Sequence, residues 1–367
     1  MSFISCSKNS KTLLFIGSYT DKKPGTGIHV YEFDTESGEV QRLDSVVNII
    51  NPSFLQLSSD GAYLYAATES QLPTHGKVTA FSIDSLSGKL TELNRQDAGG
   101  RNPAHIAVSK NGRFVINSNY TDSSLGIMEC MPNGSLKPSK QVLRFTDSSV
   151  VAGRQDASHM HSANFTPDGD FVVAQDLGGD KMRVFRFRPN EVTSLQPNFD
   201  LQVKVKPGSG PRHFTFHPNG TLAYGIAELS GSISLYTYHK GRFSFLKEYL
   251  SYSKQQEIYS GADIHISPDG QFLYTSNRGP GEDTIAIFSI DQNTGYLTLV
   301  GHEDTQGEHP RNFAIDPTGN FLLVANQFSN NIVIFRRNKE TGLLSKKSEI
   351  LQVSSPSSLQ LQTYQIH

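Results

Sequence analysis

A glycine in a short turn recurs along this sequence at nearly constant intervals. The six glycines are Gly61, Gly112, Gly169, Gly220, Gly270 and Gly319, separated by 51, 57, 51, 50 and 49 residues. Each follows a polar turn and lies between two runs in which apolar residues alternate with polar ones. A repeat of about fifty residues made of short strands predicts one supersecondary unit that buries its faces only against neighbouring copies.

One repeat is typical of four antiparallel strands. In residues 210–250, strand patterns at 213–216 and 221–227 flank the turn at Gly220, and two more follow at 232–238 and 242–250. Asn and Gly accept the positive φ that tight hairpins require, and period-two alternation indicates half-buried strands. Four such strands in about fifty residues predict a β-propeller blade.

The number of hairpins predicts the number of blades. Hairpins between a third and a fourth strand occur seven times, whereas the turn between a first and a second strand occurs six times. Residues 355–361 (SPSSLQL) resemble residues 51–57 (NPSFLQL), so the C-terminus is expected to supply the missing first strand. The sequence therefore predicts an all-β, seven-bladed propeller whose N- and C-terminal strands share one blade, which leaves no open sheet edge. We expect a disordered or frayed segment at residues 1–10 and a single propeller domain over residues 11–367.

Composition excludes several classes of partner. A formal net charge of -2 gives no electrostatic case for binding nucleic acid or a membrane surface. No apolar run approaches the roughly 20 residues that span a bilayer. Cys6 and Cys130 are far apart and have no metal-binding or redox spacing. We expect a cytoplasmic monomer; an exported lipoprotein is the alternative if Cys6 followed a signal peptide outside this sequence.

Polar residues are expected to converge at one mouth of the central channel. In an antiparallel blade the start of the first strand and the end of the second strand lie at the same end, so Arg212 and Glu228 should be neighbours. The same alignment brings together Tyr19, His159, His161, Arg278, Arg311 and Gln327. His213 alternates with Arg212 and is expected to point the opposite way, between blades. Asp263 and His265 are expected to brace two blades as a buried pair.

The residue types at this mouth favour an anionic ligand. Arg212, Arg278 and Arg311 would repel one another unless carboxylates or a bound anion balanced them, and the planar guanidinium binds carboxylate or phosphate in a bidentate way. Glu228 or His161 could act as general base beside the anion. His159 and His161 could supply two metal ligands, but the arginines disfavour a cation, so we predict neither metal nor cofactor. A structural role for any one of these strand-end residues stays open.

Several motifs resemble those of the seven-bladed β-propeller lactonase family, which includes bacterial 6-phosphogluconolactonases and the fungal carboxy-cis,cis-muconate cyclase. The motifs are residues 159–164 (HMHSAN), 210–213 (GPRH), 227–229 (AEL), 263–270 (DIHISPDG) and 277–278 (NR). The resemblance extends over essentially the whole chain. It implies catalytic roles for His161, Arg212, Glu228 and Arg278. The expected substrate-binding residues are Tyr19, His159, Arg311 and Gln327.

The resemblance implies a lactonase that hydrolyses a sugar lactone. The expected reaction converts 6-phospho-D-glucono-1,5-lactone into 6-phospho-D-gluconate in the pentose phosphate pathway, with a small anionic lactone as the partner. Two alternatives stay open at this point. One is a lactonising cycloisomerase of the muconate type, and the other is a non-catalytic propeller that binds a partner or a carbohydrate.

Overall fold

The computed structural model describes residues 10–366, apart from the side chains of Ser348 and Glu349, and these residues form strands almost throughout. Residues 1–9, which hold Cys6 and most of the segment expected to be frayed, lie outside the described residues. Ser10 is the first residue of the first strand. Phe199–Leu201 form a single turn of 3-10 helix. None of the helical structure in the described part of the chain is long and apolar enough to cross a membrane.

The strands are numbered in chain order. The strands before the middle of the chain are β1 (Ser10–Ser18), β2 (Ile28–Phe33), β3 (Val40–Val46), β4 (Phe54–Leu57), β5 (Tyr63–Thr68), β6 (Lys77–Ile83), β7 (Leu90–Asp97), β8 (Pro103–Val108), β9 (Phe114–Asn119), β10 (Ser124–Glu129), β11 (Gln141–Arg144), β12 (Met160–Phe165), β13 (Phe171–Asp176), β14 (Lys181–Phe187), β15 (Leu195–Pro197) and β16 (Val203–Lys204). The remaining strands are β17 (Pro211–Phe216), β18 (Leu222–Ala227), β19 (Ser232–His239), β20 (Arg242–Leu250), β21 (Gly261–Ile266), β22 (Phe272–Asn277), β23 (Thr284–Ile290), β24 (Leu297–Asp304), β25 (Pro310–Ile315), β26 (Phe321–Asn326), β27 (Asn331–Arg337), β28 (Leu344–Gln352) and β29 (Pro356–Gln365).

Within residues 10–366 these strands form seven antiparallel sheets, which we call blades 1 to 7. Blade 1 contains β29, β1, β2 and β3, and blades 2 and 3 contain β4–β7 and β8–β11. Blade 4 contains β12–β16, with both β15 and β16 beside β14. Blades 5, 6 and 7 contain β17–β20, β21–β24 and β25–β28. The predicted all-β, seven-bladed architecture is confirmed.

Blade 1 closes the ring in the predicted manner. β29 pairs with β1 from Ser10↔Gln365 to Ser18↔Pro356, so a strand from the C-terminus is the first strand of the blade that the N-terminus builds. The N-terminal and C-terminal strands of the chain are therefore paired with each other in one sheet. Closure of this kind removes the unpaired strand edges that favour aggregation.

The hydrophobic core is divided among the interfaces between adjacent blades. One cluster joins blade 7 to blade 1 through residues such as Phe321, Leu323 and Ile16. Equivalent clusters lie between each of the other neighbouring pairs of blades. Burying each large aliphatic or aromatic side chain contributes about 1.5–3 kcal/mol, so every blade depends on both neighbours.

The repeating glycines occupy left-handed turns. Gly220 has φ 71° and donates its N–H to the His217 carbonyl at 2.9 Å. The other five glycines of the repeat have φ between 70° and 76°. A side chain with a Cβ adopts this region at a cost, which explains why the same residue type recurs at each turn.

Candidate functional site

Each blade fixes the end of its second strand beside the start of its first strand. A backbone N–H at the end of the second strand donates to a carbonyl that precedes the first strand. Glu228 N donates to Gly210 O at 2.7 Å in blade 5, and Arg278 N donates to Ser260 O at 3.2 Å in blade 6. The corresponding donors in the other blades are Tyr19, Glu69, Tyr120, Leu177 and Gln327. These bonds confirm that the two strand ends meet at one mouth of the channel.

Most first strands carry a β-bulge at this mouth. The register shifts at the start of β8, β12, β17, β21 and β25 and at the matching end of β29 beside β1. His161, Arg212 and Arg311 are the extra residues in β12, β17 and β25. A bulge re-aims the neighbouring side chains and interrupts their alternation.

The bulge at Arg212 makes one prediction wrong. His213 was expected to point between blades because it alternates with Arg212. Instead it lines the interior of the channel together with His105 and Asp263. Its ring lies 5.1 Å from the ring of His161, measured between centroids. The sequence pattern shows alternation but gives no sign of the extra residue.

Glu228 is the centre of the charge cluster. Its Oε2 accepts hydrogen bonds from Arg212 Nε and from Arg278 at 3.0 Å each, and its Oε1 accepts from Arg154. Burial alone would raise the pKa of Glu228, but Arg278, Arg212 and Arg154 outweigh that effect and hold the pKa well below its ordinary value. Glu228 is therefore a carboxylate at any physiological pH.

Arg278 is held rigidly at the wall of the mouth. Besides Glu228, it donates to the carbonyl oxygens of Ser260 and Gly261 at 3.2 Å each, and to His309 Nε2 at 3.2 Å. Burial, Arg278 and Arg311 lower the pKa of His309 to about 3, so this imidazole is neutral and accepts the hydrogen bond. Preorganised donors of this kind need no reorganisation when a negative charge develops beside them.

Arg212 lies behind the wall and does not reach the mouth. Its side chain is 1% exposed and donates to Glu228 and to the Ala262 carbonyl. Burial, with Arg278 and Arg311 nearby, lowers the pKa of Arg212 to about 9, which leaves it charged at neutral pH. Its role in this arrangement is to fix Glu228 and to add positive charge.

Arg311 is the guanidinium that remains available for a ligand. It lies 5.5 Å from the centroid of the Tyr19 ring. In the described part of the chain it forms no ion pair with a carboxylate. Three guanidiniums, those of Arg154, Arg212 and Arg278, pair with Glu228, and Arg311 adds a fourth positive charge at the same pocket. This excess of positive charge favours an anionic ligand.

His161 is a buried, neutral imidazole at the same place. Burial and the charge of Arg212, followed by smaller effects of His213, Arg311 and Arg278, hold the pKa of His161 well below its ordinary value. Its Nδ1 has no hydrogen-bond partner in residues 10–366. It also packs edge-on against Tyr120, with 5.7 Å between ring centroids. A neutral imidazole can accept a proton.

These residues enclose a small cavity, which we call the mouth pocket. Its volume is ≈ 140 Å³, and it is lined by Tyr19, Gln71, Asn102, Ala104, Tyr120, His161, Glu228, Arg278 and Arg311. Five of the predicted site residues line it, namely Tyr19, His161, Glu228, Arg278 and Arg311. The structure brings them together, and their catalytic and binding roles stay predictions.

Two other predicted residues lie beside the mouth pocket. His159 stacks on the outer face of Tyr120, with parallel rings 4.3 Å apart, and its Nδ1 contacts the Tyr120 carbonyl at 3.0 Å. This position supports Tyr120 and separates His159 from the pocket. Gln327 lines an adjoining groove that shares Tyr19 and Gln71 with the mouth pocket.

Sequence reasoning missed Arg154. It lies in the loop between β11 and β12 and reaches across to Glu228, with which it forms an ion pair. The interval of 57 residues between Gly112 and Gly169, against 49–51 elsewhere, is the signal that could have located this insertion. Gln71 was also missed, since it lies beyond the end of its strand.

A second layer of polar residues closes the channel below the mouth. Asp263 accepts hydrogen bonds from His213 Nδ1 at 2.7 Å, His265 Nε2 at 2.9 Å and the Asn312 side chain. His213, Asp263 and Asn312 belong to blades 5, 6 and 7, so Asp263 braces three blades. The expected buried pair of Asp263 and His265 is wrong in part, because His265 lies on the same strand as Asp263 and its side chain is 40% exposed. No group of three or more His, Cys, Asp or Glu side chains in residues 10–366 is placed to hold a metal ion.

Comparison with known proteins identifies the family. The sequence matches the family described as "Lactonase, 7-bladed beta-propeller" over residues 13–361. The chain belongs to this lactonase family. A 6-phosphogluconolactonase of Formosa agariphila is 57% identical over 351 residues, which cover 96% of this chain and 99% of the relative. A 6-phosphogluconolactonase of Bacillus subtilis is 32% identical, with coverage of 95% and 97%.

A solved structure supports the same conclusion. The periplasmic gluconolactonase of Pseudomonas aeruginosa superposes on this lactonase with a TM-score of 0.90, at 33% identity and with coverage of 96% of this chain and 99% of the other. The family and the enzyme class, a hydrolase that acts on a carboxylic ester, therefore agree with the expectation from the motifs.

Proposed function

We propose that this lactonase hydrolyses 6-phospho-D-glucono-1,5-lactone to 6-phospho-D-gluconate through the residues of the mouth pocket. The observation that carries the proposal is the arrangement of Arg278, Arg311 and His161 around one cavity, in which positive charge exceeds negative charge. The names of the Formosa and Bacillus relatives support the substrate. A phosphorylated sugar lactone is an anion with a reactive carbonyl, and this site offers guanidiniums for both features.

In this proposal Arg278 polarises the lactone carbonyl, and Arg311 binds the negatively charged phosphate of the substrate. Water attack converts the carbonyl oxygen into an oxyanion, and the Arg278 guanidinium beside it stabilises that charge more than it stabilises the neutral ground state. Arg278 is fixed by four hydrogen-bond partners, so its direction is set before the substrate arrives. Arg311 is less constrained and can follow the substrate.

His161 is the better general base. Both carboxylate oxygens of Glu228 already accept hydrogen bonds from three guanidiniums, so neither is free to take a proton from water. His161 is neutral and lines the pocket. A base must be deprotonated and within reach of the proton that it removes. Glu228 instead orients Arg212 and Arg278.

The proton balance is complete with His161 alone. Water oxygen forms a bond to the carbonyl carbon while His161 takes one water proton. The tetrahedral oxyanion then collapses, the bond from that carbon to the ring oxygen breaks, and the imidazolium returns its proton to the departing oxygen. The product is a hydroxy acid that ionises in solution, which releases one proton for each lactone opened.

The test is hydrolysis of purified 6-phosphogluconolactone above its spontaneous rate. Arg278→Ala should lower kcat/KM by about 10²–10³, the loss typical of removing one oxyanion donor. Arg242→Ala, on the exposed outer strand β20, is the matched control and should keep the wild-type rate. If the wild-type protein opens the lactone no faster than buffer does, the proposal is wrong. Turnover of muconate lactone alone would indicate the cycloisomerase alternative, and no turnover of either lactone would indicate the scaffold alternative.

We also propose that the lactonase acts as a cytoplasmic monomer. A phosphorylated substrate carries charge that opposes passage through a membrane, which supports a cytoplasmic location. The pairing of β1 with β29 closes the ring of seven blades, so no blade lacks a neighbour that a second copy would have to supply. Cell fractionation tests the location against export, and light scattering of the purified protein tests the oligomeric state.

A further inference from the structure

A wider groove continues from the mouth pocket along the surface of blades 1, 2 and 7. Its volume is ≈ 650 Å³, and Tyr19 and Gln71 belong to the walls of both cavities. Gln327 lies on the groove wall, on the strand pair that also carries Arg311. Because the walls are shared, a ligand that begins in the mouth pocket can extend into this space. We call it the arm groove.

The mouth pocket by itself is small for the proposed substrate. Its ≈ 140 Å³ lies below the roughly 300–1,000 Å³ of typical small-molecule sites, whereas the arm groove lies within that range. A lactone ring positioned for attack next to His161 and Arg278 therefore fills the mouth pocket. Its C6 substituent has to extend beyond the mouth pocket. The arm groove adjoins the mouth pocket at Tyr19 and can hold this substituent.

A constrained loop places a lysine in this groove. Asp21 and Lys22 have φ 52° and 62°, a left-handed conformation that is uncommon for residues other than glycine. The buried side chain of Asn51 holds the loop, because its Oδ1 accepts from Thr20 N at 2.7 Å and from Lys22 N at 3.2 Å. Backbone strain that is fixed by a buried partner is typical of functional positions.

The charges along this path suit a phosphate. Lys22 lines the arm groove, is exposed and forms no ion pair within the described residues. Arg311, which is also without an ion pair there, packs on Tyr19 at the junction of the two cavities. Asp21 lines the same groove, and its negative charge repels an anion. The attraction of the anion to Lys22 and Arg311 therefore has to exceed this repulsion.

We propose that Lys22 and Arg311 form a phosphate subsite that selects phosphorylated lactones over unphosphorylated ones. The subsite rests on the proposed function, since the lactone ring has to occupy the mouth pocket for its C6 phosphate to reach Lys22. Arg311 binds the phosphate near the junction, and Lys22 binds it from the arm groove. Gln327 supplies a neutral donor on the same wall.

The kinetic test compares 6-phosphogluconolactone with glucono-1,5-lactone. Lys22→Met should raise the ratio of their KM values by about fivefold, the effect of losing one solvent-exposed charge contact. Arg311→Met should raise the ratio by about tenfold, because a guanidinium binds phosphate in a bidentate way. Asp21→Asn should lower the ratio. Lys23→Met is the matched control, since Lys23 is an exposed lysine in the same loop that does not line the groove, and both KM values should stay unchanged.

A binding measurement tests the subsite without turnover. Titration calorimetry should show that 6-phosphogluconate binds the wild-type protein more tightly than gluconate does, and that Lys22→Met reduces this difference. Equal affinities for the two acids would overturn the subsite whether or not the protein is a lactonase. Hydrolysis of 6-phosphogluconolactone with an unchanged KM ratio in Lys22→Met would overturn the subsite and leave the proposed function intact.

Discussion

At the scale of single residues, the structure distinguishes the two candidate general bases, Glu228 and His161. Both were candidate bases because both converge on the mouth. The three guanidiniums around Glu228 stabilise its charged form and remove its basicity, while burial next to arginines keeps His161 neutral. The same positive charge lowers the pKa of both groups, which leaves the carboxylate charged and the imidazole neutral.

The pKa of His161 gives a prediction about pH. The active form is the neutral imidazole, so activity should fall only when pH drops through the folded pKa. Burial, Arg212, His213, Arg311 and Arg278 hold that pKa well below 6.5, so kcat/KM should stay level from about pH 8 down to about pH 6. The measurement is a pH–rate profile corrected for spontaneous opening of the lactone.

A variant separates His161 from other titrating groups. His161→Gln should lower kcat/KM by about 10²–10⁴ and remove the acid limb of the profile, since general base catalysis contributes that much. An acid limb with its midpoint near 6.5 in the wild-type protein would contradict the assignment. Retention of the limb in His161→Gln would show that another group is the base.

At the scale of elements, the loop between β11 and β12 adds a charge that the regular blades do not supply. Arg154 and Arg212 bind opposite oxygens of Glu228, yet their side chains are 44% and 1% exposed. An exposed ion pair contributes little because water screens it and the side chain loses entropy. Removing one partner of a buried pair leaves the other charge uncompensated.

This contrast predicts different stabilities for two arginine variants. Arg154→Ala should lower the free energy of unfolding by less than about 1 kcal/mol. Arg212→Ala should lower it by about 3–5 kcal/mol. Guanidinium chloride denaturation followed by circular dichroism measures both. Arg95→Ala removes an exposed ion pair with Glu92, far from the mouth, and serves as the control for Arg154. Equal losses for Arg154→Ala and Arg212→Ala would contradict the argument.

The strands and loops also show which structural features could be predicted from the sequence. The sixteen-residue separation of Arg212 and Glu228 predicted their contact, because two strands joined by a tight turn have a fixed length. The bulge at Arg212 was not predictable from alternation, since a single extra residue leaves the apolar pattern intact. Arg154 was not predictable from the repeat because it lies in an insertion, whose path depends on the surface beneath it.

At the scale of the whole molecule, the ring depends on the pairing of its two ends. Blade 1 takes β29 from one end of the chain and β1 from near the other, and Leu359 in β29 packs in the cluster that joins blades 7 and 1. Without β29, the inner edge of β1 and one side of that cluster face water. The repeat itself predicted this closure, because residues 355–361 matched a first strand that was missing elsewhere.

Two altered chains, one truncated and one circularly permuted, test whether the ring is stabilised by strand pairing or by the order of the strands along the chain. A chain that ends at Val353 lacks β29 and should lose its cooperative unfolding transition and expose a sheet edge that aggregates. A circular permutant that joins residue 366 to residue 10 by a short linker, with new ends between Lys254 and Gln255, keeps every strand pair. Ser10 already lies opposite Gln365, so the linker has little distance to span. The permutant should fold and hydrolyse lactone at close to the wild-type rate, as judged by thermal unfolding and activity. A stable, active chain ending at Val353 would show that the ring closes without its shared blade.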